Sequence, residues 1–136
     1  MTRICLVLLF LSTFLPLSAP VHTCIYLKQE NGLNIMENVF TAICYIESRG
    51  NPYVVNFDDP NGGSWGVAQI GQLKLNEFNR ANKTQYKISD LLDVKLSKRI
   101  FLFHCRQYKD IDIAIRSWNG SGEKAQKYLK LVKERL

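Results

Sequence analysis

The sequence is short of the residues that build metal and disulfide sites. Of 136 residues only two are histidine and four are cysteine. Two histidines leave little material for a metal centre, and no His, Cys, Asp or Glu cluster has ligand spacing. Four cysteines are too few for a disulfide framework that replaces a core. A Gly-rich phosphate loop after a strand, a Ser–His–Asp order and internal repeats are all absent. No metal or other cofactor is therefore expected. What remains is a chain with 46% hydrophobic and 22% charged residues, long enough for one domain and too apolar for a disordered tail. Basic residues exceed acidic ones by 18 to 12. That excess calls for an anionic partner: nucleic acid, a membrane surface or an acidic polymer.

Residues 1–23 stand apart. Arg3 is their only charge, Ile4–Leu15 is apolar except for Ser12 and Thr13, and Pro16, Ser18, Ala19 and Pro20 follow. This order describes a secretory signal, with cleavage after Ala19 or Thr23. A spanning helix needs about 20 apolar residues, which makes an uncleaved anchor the weaker alternative. Residues 24–136 then form the exported domain, in the periplasm, the extracellular space or the cell wall. No stable membrane span is expected once the signal is cleaved. Loss of Arg3 leaves 17 basic residues against 12 acidic and a charge of +5. Export makes nucleic acid an improbable partner and an extracytoplasmic polymer the expected one. Cys24, Cys44 and Cys105 remain, and a bridge from Cys24 to one of the others is open. Cys44 and Cys105 also read as small buried hydrophobes.

Periodicity predicts a mostly α domain with at most a minimal β element. Asn34 and Glu37 resemble a capping box, and Met36, Val39, Phe40 and Ile43 repeat at helical spacing. Glu47 takes the next place on that apolar stripe, at the end of the helix, before Gly50-Asn51-Pro52. Burial and the negative end of the helix dipole both disfavour its anion, so its pKa is expected to rise. A loop rich in Asn, Asp, Pro and Gly covers 56–66, and Val67–Ile70 is a short apolar run. Leu73–Ala81 reads as a helix. Asp93 caps another running through Tyr108, Asp110 opens a third that ends at Asn119-Gly120, and residues from Glu123 make a last one with lysines outside.

Three motifs follow in order. Glu47-Ser48-Arg49-Gly50-Asn51-Pro52 precedes Gly63-Ser64-Trp65-Gly66-Val67-Ala68-Gln69-Ile70, and then comes Ala114-Ile115-Arg116-Ser117-Trp118-Asn119-Gly120. The order resembles the soluble lytic transglycosylases, which share the lysozyme-like fold with goose-type lysozymes; the resemblance spans roughly residues 35–133. It implies cleavage of the MurNAc–GlcNAc β-1,4 bond of peptidoglycan with formation of 1,6-anhydromuramyl ends. Glu47 matches the catalytic acid/base and Ser48 the serine beside it. Gly66 and Gln69 match the residues that line the sugar groove, Ser64 lies in the same motif, and Asn56 stands where the family often has serine. Asn119 and Gly120 match the third motif, which closes the site. Two departures stand out. Val67-Ala68 replaces Leu-Met, and Trp118 replaces a tyrosine whose hydroxyl lies near the catalytic carboxyl, although Trp118 also reads as core.

A hydrolase on this scaffold needs a second carboxylate, and only Asp58 and Asp59 are near enough in sequence. Both sit where Asp commonly organises turns. The transglycosylase reading is therefore preferred. A muramidase and a non-catalytic wall-binding protein stand as alternatives. His104 reads as a helix residue and Glu123 as surface charge. The partners expected are peptidoglycan strands and, for a small exported transglycosylase, a secretion or conjugation apparatus.

Overall fold

The computed structural model describes residues 22–58 and 62–136, with side chains before residue 32 and that of Leu33 left aside. The expected signal, apart from its last two residues, and Asp59 lie outside the described residues, as does the side chain of Cys24. Helix α1 spans His22–Ser48, followed by three two-residue strands, β1 (Val55–Asn56), β2 (Ser64–Trp65) and β3 (Ile70–Gly71). Then come α2 (Gln72–Asn82), a 3-10 turn (Ile88–Leu92), α3 (Val94–Cys105), α4 (Ile111–Trp118) and α5 (Gly122–Lys133). The strands form one antiparallel sheet in the order β1-β2-β3, with Asn56 opposite Ser64 and Trp65 opposite Ile70. The chain is mostly α with a minimal β element. Among the described residues no helix is long and apolar enough to cross a membrane.

Local chemistry sets the boundaries. Asp93 accepts a hydrogen bond from the Lys95 amide at 2.8 Å, and Asp110 accepts one from Asp112 at 2.7 Å, so both cap their helices as expected. α1 ends where Arg49 and Gly50 take left-handed φ values of 58° and 78°. Asn34 is not a cap: α1 begins twelve residues earlier, and no proline lies between His22 and Asn34 to stop the helix. α3 stops at Cys105, three residues short of Tyr108.

The core collects one face of every helix. Phe101 of α3 is at its centre, with ring centroids 5.4 Å from both Phe40 of α1 and Trp118 of α4. Ile43, Ile70, Leu75, Leu91, Ile115 and Val132 close around it without exposure. A Glu37–Lys98 ion pair adds a surface tie between α1 and α3. Cys44 and Cys105 are buried free thiols, and burial pushes both up to about 12; the bridge expected from Cys24 involves a side chain outside the described residues. They are inert packing groups.

Candidate active site

α1 carries Glu47 to the floor of a cleft of about 440 Å³ between the sheet, the start of α2 and the end of α4. Asn56, Ser64, Gln69, Trp118, Asn119 and Gly120 line it together with Glu47. Residues far apart in the chain thus meet around one carboxyl. Gly71, Gln72, Leu73, Lys74 and Ser117 complete the walls.

The Glu47 carboxyl has a partner that the motifs did not reveal. Tyr128 of α5 donates its hydroxyl hydrogen to Glu47 Oε1 at 2.7 Å. Tyr128 itself is buried, and burial beside the Glu47 charge drives its phenol pKa far upward, so it stays protonated and keeps a hydrogen to donate to the Glu47 carboxylate. Glu47 has a pKa raised above that of an ordinary glutamate. Burial is the largest cause; the Tyr128 hydrogen bond and the Lys74 charge pull the other way. The site therefore holds a carboxylic acid that persists to higher pH and a donor that steadies the anion once the proton has left.

This arrangement predicts the effect of Tyr128→Phe. Loss of the donor removes an influence that lowers the Glu47 pKa, so that pKa rises further. If the protonated acid limits turnover, the alkaline limb of the pH–rate profile moves to higher pH. The maximal rate falls about 10- to 150-fold, since a hydrogen bond to a charged group contributes roughly 1.5–3 kcal/mol. A profile unmoved by the substitution would contradict the role.

The tyrosine that the third motif usually provides is Trp118 here, and its indole belongs to the core. The ring stands edge-on to Phe101 and packs 5.1 Å from His104. The hydroxyl beside the acid comes instead from α5. His104 Nε2 lies 3.1 Å from the Ala114 carbonyl and 2.9 Å from Ser117 Oγ, and burial lowers its pKa; it is a neutral support for α4.

Two expected groove residues lie beneath the cleft. Ser48 is buried, with its hydroxyl between the Val67 carbonyl at 2.8 Å and that of Cys44 at 3.0 Å. It ties the end of α1 to the second motif. Gly66 is buried under the 3-10 turn, with φ +76°, and a Cβ there would stand 2.0 Å from the Leu91 carbonyl oxygen. It gives the close approach that seats the sheet. Neither touches the open cleft, because backbone packing claims both.

Gln69 reaches the cleft wall, but its amide also fastens the motif. Nε2 donates to the Val54 and Gly66 carbonyls at 3.1 and 2.9 Å, and Oε1 accepts from Ser64 Oγ at 3.0 Å. These bonds satisfy a residue held at φ +47°. Asn56 accepts from the Asp58 amide at 3.0 Å, an Asx turn at the rim. Asp58 is exposed and outside the cleft lining, and Glu123 is likewise on the surface.

A helical domain that folds around one half-buried acid, with a small antiparallel sheet as the opposite wall of its cleft, is a lysozyme-like domain. The sequence agrees at the level of the family. The chain belongs to the transglycosylase SLT domain family, whose sequence model matches residues 25–135. Membership implies a peptidoglycan substrate. Comparison with curated proteins and with solved structures returned no match.

Proposed function

We propose that this protein is a lytic transglycosylase that cuts the MurNAc–GlcNAc β-1,4 bond without water, with Glu47 as its only catalytic carboxyl. The observation that carries the reading is the acid inventory of the cleft. Among the described residues lining it, Glu47 is the one carboxyl, whereas a retaining or inverting hydrolase uses two.

The chemistry balances on that single group. Protonated Glu47 gives its proton to the glycosidic oxygen as the C1–O bond of the muramyl residue breaks. The Glu47 carboxylate, steadied by the Tyr128 hydroxyl, then takes the proton of the muramyl 6-hydroxyl. That oxygen closes on C1 of its own ring, giving the 1,6-anhydro sugar and regenerating the acid. Asn56, Ser64, Gln69 and Asn119 form the polar wall on which the glycan lies, and Trp118 backs it.

The domain works outside the cytoplasm, in periplasm or cell wall, where the glycan is. The exposed lysines of α5 (Lys124, Lys127, Lys130 and Lys133) give that helix a basic outer face for an anionic wall. Digestion of purified sacculi followed by mass spectrometry of the released muropeptides tests the reading. Products with anhydromuramyl ends are expected. Ordinary reducing ends would assign the site to a muramidase, and no release at all would assign it to a wall-binding protein.

A further inference from the structure

Among the described residues, the cleft lining holds one cation as well as one acid. Lys74, in the first turn of α2, is half-buried in the same cleft as Glu47. Its Nζ donates to the Trp118 carbonyl at 2.9 Å and lies 4.9 Å from the centroid of the Trp118 ring. Hydrogen bond and ring face together seat the ammonium at the end of α4. The tryptophan that departs from the motif is thus what the lysine rests on.

A cation here works against the first chemical step. The Lys74 charge favours the Glu47 anion, whereas proton donation needs the acid. A substrate anion bound at Lys74 would neutralise that pull and return Glu47 toward its protonated form. A cation in such a place suits a substrate that brings negative charge with it.

Building on the transglycosylase reading, we infer that Lys74 is a specificity-determining residue that binds a carboxylate carried by the lactyl arm of the muramyl sugar. The arm supplies that carboxylate in either of two ways. In a peptide-free glycan it ends in a carboxylate of its own. When a stem peptide is attached that group is an amide, and the nearest acid belongs to the peptide. N-acetylglucosamine has no such arm, so a cleft that uses Lys74 separates acidic peptidoglycan from neutral chitin-type glycan. A charge-assisted hydrogen bond of this kind corresponds to about tenfold or more in affinity.

The test is calorimetric binding in the Glu47→Gln background, where no turnover confuses affinity. Three probes are used: a peptide-free GlcNAc–MurNAc tetrasaccharide, the same glycan with stem peptides, and chitotetraose. Preference for at least one acidic glycan over chitotetraose is expected, and Lys74→Met should cut that ratio about tenfold while Lys74→Arg keeps it within about twofold. A drop confined to the peptide-free probe assigns the lactyl carboxylate, and one confined to the substituted probe assigns the peptide. An unchanged ratio in Lys74→Met, no preference in the parent, or no binding of any glycan overturns the inference. The transglycosylase reading fails separately, when the enzyme with Glu47 intact releases no anhydro ends although the ratio still depends on Lys74.

Discussion

Glu47→Gln is expected to reduce peptidoglycan cleavage by about 10²–10⁴-fold, the range that a positioned general acid supplies. The upper end applies here, because in the proposed mechanism one carboxyl serves both proton transfers, and among the described residues the cleft lining offers no other. Glutamine keeps the shape and can still accept from Tyr128, so folding is preserved. Stability should in fact rise at neutral pH. The folded-state pKa of Glu47 is raised, so the native protein binds its proton more tightly than the unfolded chain does. Stability from that group is complete below the unfolded value and is lost as pH climbs through the folded one. The glutamine variant escapes this loss. Its melting temperature should exceed that of the wild type at pH 7, with the difference closing below about pH 4, near the unfolded carboxyl pKa. Retained lysis would remove Glu47 from the mechanism.

Gly66→Ala should produce the largest loss of stability. The added Cβ would sit 2.0 Å from the Leu91 carbonyl oxygen, and the residue would have to hold φ +76°. Overpacking against fixed backbone and left-handed strain together cost about 2–6 kcal/mol, a large part of the 5–15 kcal/mol typical of a domain. Gly50 provides the control. Its φ is +78°, yet nothing lies within 4 Å of its Cβ position, so Gly50→Ala should cost about 1–2 kcal/mol for the backbone alone. Urea denaturation of both variants separates contact from conformation. Equal losses would show that the Leu91 contact contributes nothing.

Periodicity made the helices and Glu47 legible, because each is a local pattern. Val39, Phe40 and Ile43 define a stripe, and the carboxyl that continues it is read directly. Asp93 and Asp110 act through amides two residues away, so their caps were equally visible. The start of α1 was misplaced because Asn34 and Glu37 satisfy a capping rule that the upstream helix makes unnecessary. Ser48 and Gly66 match the motif, and the structure places both beneath the cleft. Their types suit a groove, but their environment is set by Val67 and Leu91, which only the fold brings near. Tyr128 shares a helical face with Ala125 and Val132, and all three are buried. Its hydroxyl meets a residue 81 positions away, a contact that no local pattern carries. Lys74 carries no local signal for the same reason, since both its seat on Trp118 and its place in the cleft with Glu47 are tertiary. Two signals bear on Tyr128: the tyrosine missing from the third motif, and Glu123, which precedes Tyr128 much as a family glutamate precedes a tyrosine, though one residue out of offset.

The central claim is that Glu47 ends the bond by turning the muramyl 6-hydroxyl, and not water, onto C1. Digestion of sacculi in ¹⁸O-labelled water measures this directly. The account predicts muramyl ends that carry no label and weigh one water less than hydrolytic ends. One ¹⁸O atom at each new muramyl end would contradict it.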